Sequence, residues 1–179
     1  MPDGLIYQPD FLTTDEEAVI IEEIAPLEYQ QVVMRGQVAR RTVLHYGFDY
    51  DYEGWKIFPT TPPSPWLRAL ADRAASFAGI AAESLEQFLI ARYPPGATIG
   101  WHRDAPMFGS PVLGISLGAP CTMRFRRKAG DGYETSVCPL APRSLYILGG
   151  AARTQWQHSI PAVKALRWSI SMRTIRQKK

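Results

Sequence analysis

From Leu166 to Arg173 the chain alternates without a break: Leu166, Trp168, Ile170 and Met172 fall on one side, Arg167, Ser169, Ser171 and Arg173 on the other. Residues i and i+2 share a face only in an extended strand, so this segment reads as a strand with an apolar back. For most strands of this kind the polar face simply meets water. Seven shorter runs of strand character precede it: Phe88–Tyr93, Ile99–His102, Val112–Leu117, Thr122–Arg127, Glu134–Cys138, Ser144–Leu148 and His158–Ile160. Turn residues separate them, Gly130-Asp131-Gly132 among them. Eight short, turn-punctuated strands fit a double-stranded β-helix, the jelly roll. That fold brings together strands distant in sequence and opens a mouth between its two sheets.

The upstream part reads as a helical front. Thr14-Asp15-Glu16-Glu17 has the form of a capping box and opens a helix to about Pro26. Ser64-Pro65 starts a second helix, Trp66 to about Ala78, with Trp66, Leu70, Ala74 and Phe77 at helical spacing for burial and Gly79 closing it. Between them, Gly36, Gly47, Gly54 and Thr60-Thr61-Pro62-Pro63 punctuate strands and a mobile loop. The expected class is mainly β with N-terminal helices (α+β), built on a jelly roll.

The chain has three histidines, His45, His102 and His158. His102-Arg103-Asp104 puts an imidazole and a carboxylate two residues apart. On a strand both side chains point the same way, and His158 could complete a two-histidine, one-carboxylate set that holds Fe(II) and leaves positions open for oxygen and a co-substrate. Alone, His-x-Asp is weak, since chance produces it often and a lone histidine is usually structural. The polar face of the last strand adds weight. Arg167 and Arg173 near a metal suit a dicarboxylate, because guanidinium pairs bidentately with carboxylate. Together they point to 2-oxoglutarate as co-substrate.

ARYPPGATIGWHRD (91–104), LGISLGAPCTMRF (113–125), PRSLYILGGAARTQWQHSI (142–160) and LRWSISMRTIR (166–176) resemble, in order and spacing, the AlkB family of Fe(II)- and 2-oxoglutarate-dependent dioxygenases. Upstream, RRTVLHYGFDYDYE (40–53) is similar to the substrate lid of that family, and especially to that of homologues that act on tRNA wobble uridine or have no settled substrate. The resemblance implies His102, Asp104 and His158 as iron ligands. It implies Arg167 at the distal carboxylate of 2-oxoglutarate, Arg173 nearer the chelating carboxylate, and Tyr93 and Ser169 beside the co-substrate. The cofactor set it implies is Fe(II), 2-oxoglutarate and O2. One domain over 1–179 follows, with a helical front and lid over 1–87 and a jelly-roll catalytic core over 88–176.

Two positions depart from the family. Ala91 stands where an Asn is usual, which removes a hydrogen bond to the co-substrate. Pro106 stands where the DNA-repair prototype has an acid that contacts the exocyclic amine of the damaged base, so recognition of 1-methyladenine by that route is closed.

For the substrate, the lid offers His45, Tyr46, Phe48, Tyr50, Tyr52 and Trp55. Alternating aromatics are also what a strand packing on a core looks like. A split between packing and base stacking is expected, with Tyr46 the first candidate to stack, His45 structural or lid-side, and Trp101 and Trp156 in the core. Basic residues exceed acidic ones by three and cluster at Arg40-Arg41, at 124–128 and in the tail Arg176-Gln177-Lys178-Lys179. Taken singly, these are a solvated hairpin tip and a frayed end. Together they make single-stranded DNA or RNA, tRNA included, the expected partner, with Arg41, Arg126 and Arg127 as contacts. The same chemistry on a protein or small molecule, or a silent binding module, are the alternatives. No run of apolar residues is long enough to span a membrane. Cys121 and Cys138 lack the spacing of a disulfide framework and are expected as reduced core residues of a cytoplasmic, monomeric protein.

Overall fold

The computed structural model describes residues 1–34, 36–50 and 56–176. In chain order the elements are β1 (Leu5–Gln8), α1 (Thr14–Ile24), β2 (Gln30–Met34), β3 (Gln37–Tyr46), β4 (Phe48–Tyr50), β5 (Ile57–Pro59), α2 (Pro65–Ala78), β6 (Gln87–Tyr93), β7 (Ile99–His102), β8 (Phe108–Gly118), β9 (Cys121–Ala129), β10 (Gly132–Leu140), β11 (Leu145–Leu148), α3 (Gly150–Thr154), β12 (Gln157–Ile160) and β13 (Arg167–Ile175). All eight strands expected from Phe88 onward are present.

A major sheet of seven strands runs β1-β11-β8-β13-β6-β3-β2, and a minor sheet of four runs β10-β9-β12-β7. Every pairing is antiparallel, and β4 and β5 form a separate two-stranded ribbon. Three strands from the first 87 residues therefore sit in the major sheet, so that region is a helical front and also part of the barrel wall.

β13 lies between β6 and β8. Its Trp168, Ile170 and Met172 pack with Phe88, Ile90, Leu113, Ile115 and Leu117 against Ile20 and Ile24 of α1 and Leu67, Leu70, Ala71 and Ala74 of α2. Two smaller apolar clusters fill the space between the sheets. One holds Val112, Met123, Phe125, Leu140 and Tyr146, the other Val32, Val43, Leu89, Tyr93 and Ile160. The polar face of β13 looks into that interior. Arg167, Ser169 and Ser171 are buried, so the alternation of this strand marks an interior polar face and not a solvated one.

Several helix details differ from the sequence reading. Thr13, not Thr14, is the N-cap of α1, and its capping box closes with Glu16. Both triplets satisfy the pattern; Thr13 wins because its backbone is still extended. α2 buries Leu67, Leu70, Ala71, Ala74 and Ala75, one residue round from the expected stripe. Phe77 is exposed, with its ring edge-on to Phe11. Tyr52, Trp55 and the Gln177-Lys178-Lys179 end of the tail lie outside the described residues.

Candidate active site

β12 pairs with β7 so that His158 stands directly across from His102, the ring centroids 4.3 Å apart. His102 Nδ1 lies 2.8 Å from the Gly100 carbonyl. A carbonyl only accepts, so Nδ1 carries the hydrogen and Nε2 keeps its lone pair for a metal.

Asp104 reaches the same place by another route than the one expected. β7 ends at His102, so Asp104 sits in the following loop and strand geometry does not aim it. Arg153, buried on α3, aims it instead. Its Nε donates to the Gly109 carbonyl at 3.2 Å, Nη1 to Asp104 at 3.2 Å, and Nη2 to Ala105 at 3.1 Å and Phe108 at 2.9 Å. Four carbonyls, two in this loop and two at the start of β8, thus share one guanidinium. Nothing in the sequence pattern singles out Arg153; its only signal is a charged residue just before a candidate ligand strand.

The Asp104 carboxylate accepts from Arg173 Nε at 2.9 Å, and its Oδ2 is 3.8 Å from His158 Nε2. Burial pushes the Asp104 carboxyl up, but Arg173, His158 and His102 outweigh it and hold the group well below the usual carboxylate range. Burial, followed by the charge of His102, pushes His158 down to about 3. Burial also lowers His102. At neutral pH the cluster is two neutral imidazoles and one carboxylate, the protonation states that ligate a divalent metal. Among the described residues no three such side chains are already spaced for a metal ion. Asp104 is drawn onto Arg173 while the two imidazoles lie tilted against each other at 57°. The donor set fits Fe(II).

At the other end of the β13 inner face, Arg167 is fully buried. Its Nη2 donates to Ser116 Oγ at 3.1 Å, and its guanidinium carbon lies 5.0 Å from the centre of the Tyr93 ring. Nε and Nη1 are buried with no partner, and among the described residues no carboxylate pairs with it. A buried cation with open donors costs several kcal/mol unless an anion meets it, so this end of the face fits an anionic group. Register places Tyr93 beside Arg167, and both Ala91 and Ser116 beside Ser169. Ser116 was not among the expected residues. The alternation Gly114, Ser116, Gly118 with Leu113, Ile115, Leu117 is the signal that could have found it.

Arg173, expected near the chelating carboxylate of the co-substrate, is held from two sides. Besides Asp104 it donates through Nη1 to Gln87 Oε1 at 2.8 Å. Between the two arginines, the buried phenol of Tyr146 lies across Gly114, where a Cβ would come within 2.1 Å of its ring. Its hydroxyl faces Ser171 and is near enough to feel Asp104; burial first, then that carboxylate, pushes it up to about 12.

The substrate candidates are less tightly gathered. Val43 pairs with Ala91 and His45 with Leu89, so both share the inner face of β3. Arg41 shares their parity; it is buried, and its positive charge helps lower both His45 and His102. His45 Nδ1 bonds the Asp49 carboxylate. Tyr46 is on the opposite face of β3 and packs with the helix-side core. Arg126 and Arg127 lie within β9 and not at a hairpin tip. Arg127 pairs with Glu134 at 2.6 Å and covers Trp156, which is core as expected. Trp101 is only partly buried, against expectation, because it faces out from the minor sheet. Cys121 and Cys138 are free thiols.

An antiparallel jelly roll with this donor set at its centre and an anion cradle on the same interior strand has the form of a non-haem iron oxygenase. The profile of the 2OG-Fe(II) oxygenase superfamily matches residues 4–176, and the chain belongs to that superfamily. It is AlkB-like, and the superfamily is one of Fe(II)- and 2-oxoglutarate-dependent oxygenases. It is 28% identical over 183 residues to the alkylated DNA repair protein ALKBH8 homolog of Arabidopsis thaliana, with 88% of this chain aligned and 51% of that one. The chain thus spans about half the length of that relative. It is 29% identical over 152 residues to the α-ketoglutarate-dependent dioxygenase AlkB of Escherichia coli strain K12, covering 76% of this chain and 69% of the relative. A solved oxidoreductase of the 2OG-Fe(II) oxygenase family from Burkholderia pseudomallei superposes with a TM-score of 0.69 at 20% identity, over 97% of this chain and 86% of that one. That likeness supports the fold.

Proposed function

We propose that this dioxygenase oxidises a modified base in a nucleic acid, demethylating or hydroxylating it, with His102, Asp104 and His158 as the iron ligands. The observation that carries the co-substrate assignment is Arg167, fully buried with Nε and Nη1 open. It takes the distal carboxylate of 2-oxoglutarate, with Ser116, Ser169 and Tyr93 beside it. When bound, iron and co-substrate supply a two-electron oxidation: 2-oxoglutarate and O2 become succinate and CO2, and one oxygen atom enters a substrate C–H bond. On an N-methyl group the product collapses to formaldehyde and the free amine.

The chain's own residues do the positioning. Arg173 keeps Asp104 ionised and fixes its orientation, and Arg153 fixes the loop that carries it. Gly100 sets the His102 tautomer. Tyr146 stays protonated and keeps a hydroxyl hydrogen to donate within the site interior. Arg41 and His45 stand on the inner face of β3 as the nearest candidates to meet substrate. The nucleic-acid assignment is supported by a relative named for repair of alkylated DNA and by the surplus of three basic residues. Pro106 has no acceptor for an exocyclic amine, which favours bases other than 1-methyladenine.

The test is succinate release from 2-oxoglutarate with Fe(II) and ascorbate, alone and with methylated single-stranded DNA, RNA and tRNA, beside His102→Ala. Stimulation by one nucleic acid, lost in His102→Ala with the fold intact, is expected. Basal succinate that no nucleic acid raises would move the substrate to a protein or small molecule. Full turnover in His102→Ala would remove the ligand assignment.

A further inference from the structure

In β9, Met123 and Phe125 are buried in the interior, so Arg124, Arg126 and Lys128 point away from it. They share the outer face of the minor sheet with Trp101, whose neighbour His102 points in, and with Tyr133 on β10. The five side chains interleave. The Arg124 and Arg126 guanidinium carbons lie 5.2 and 4.5 Å from the Trp101 ring centre. Arg126 is also 4.6 Å from the Tyr133 ring, with Lys128 Nζ 6.0 Å from that ring on the far side.

Each arginine is anchored through Nε alone, Arg124 to Ser159 Oγ at 3.2 Å and Arg126 to Gln157 Oε1 at 2.8 Å. Their terminal nitrogens remain as forks. Across the sheet the partners are Tyr133, Thr135 and Val137 on β10 and Gln157 and Ser159 on β12, with no acid among them. Tyr133 and Val137 are more than half exposed. Arg127, on the other face, is already paired with Glu134.

We propose that this outer face is a docking strip for the phosphate backbone of single-stranded nucleic acid. The charge is complementary and, among the described residues, uncompensated by any acid on the face. The guanidiniums are held by rings and by Nε, so a bidentate phosphate contact loses little side-chain freedom. Interleaved aromatics add surface on which bases can stack regardless of sequence. The strip begins one residue from His102, on the reverse side of β7, and runs along β9 for ~13 Å at the rise of an extended strand. An acidic protein would match the charge but has no use for the rings. This assignment rests on the nucleic-acid reading above and deepens it by placing the strand on the protein.

The measurement is fluorescence anisotropy of a labelled single-stranded oligonucleotide over a range of KCl. The proteins are wild type, Arg124→Gln/Arg126→Gln, Lys128→Gln, and Arg127→Gln from the same strand. The double variant should bind about tenfold more weakly at low salt, with its salt slope shallower by about 1.4, two contacts of about 0.7 each. Lys128→Gln should lower the slope by about 0.7, and Arg127→Gln should leave it unchanged. Unchanged binding in both strip variants overturns the proposal, as does an equal loss in Arg127→Gln or equal competition by polyglutamate. Basal succinate release, which the strip variants should retain, separates the two claims. Nucleic-acid stimulation with unaltered binding in the strip variants would remove the strip and leave the function. Strip-dependent binding without stimulation would do the reverse.

Discussion

The two ends of the β13 inner face each carry an arginine, in contrasting situations. Arg173 is met on the protein's own terms, with Asp104 and Gln87 taking its donors. Arg167 is more deeply buried yet has only Ser116 and the face of Tyr93. Both lie on one strand, with Ser169 and Ser171 between them. Arg173 braces the carboxylate proposed as an iron ligand, whereas Arg167, with Nε and Nη1 open, is the proposed anchor of the co-substrate. A buried charge is informative about function in proportion to what it lacks.

Substitution should separate the two ends. Arg173→Met leaves the Asp104 carboxylate buried and unpaired, and should destabilise the metal-free protein by ~3–5 kcal/mol in urea unfolding. Arg167→Met removes an uncompensated cation and should hold or raise the same midpoint. A loss at Arg167 as large as that at Arg173 would erase the contrast. Conversely, 2-oxoglutarate should protect the wild type against unfolding, and Arg167→Met should raise the concentration needed by the equivalent of ~1.5–3 kcal/mol, the range for a charged hydrogen bond. Unchanged protection would place the anion site elsewhere.

A third effect concerns pH in the metal-free protein. His158 is held at about 3, below its unfolded value of ~6.5, so its neutral form costs nothing above ~6.5 and the unfolded chain gains a proton below it. Asp104, depressed from ~3.9, adds stability above that value that is lost on further acidification. Both signs agree: stability should fall as pH drops below ~6.5, by up to ~1.4 kcal/mol per unit from His158 alone. A flat urea midpoint between about pH 7 and about pH 5 would show that the buried histidine does not control it.

The last strand was readable because its period is strict, and the eight strands because turn residues bound them. His102, Asp104 and His158 were readable as residue types, and the jelly roll explains why His158 meets His102 across a ladder. Aiming was not readable. Asp104 hangs from a loop whose shape is set by Arg153, a contact between residues 104 and 153 that no local pattern encodes. The face of α2 shifted by one residue because small alanines, not Trp66 and Phe77, fit closest to the sheet. The side of β3 on which Tyr46 falls was not readable for a similar reason. Strand alternation is clear in sequence, but which face meets the helices depends on neighbours that pair only in the fold.

The grip of Arg153 on the Asp104 loop extends further back. α3 is itself tied to the start of the chain, with Gly149 N donating to the Gly4 carbonyl at 2.9 Å and Ala152 N to the Asp3 carbonyl at 2.8 Å. Residues 3 and 4, the short helix, the guanidinium and the carboxylate loop form one mechanical linkage, so strain applied ahead of β1 is delivered to Asp104, at the end of the site proposed to hold iron. An affinity tag or fused domain abutting Asp3 is therefore an active-site perturbation in disguise, and the exposed turn at Gly79, which touches none of these parts, is the better point of attachment.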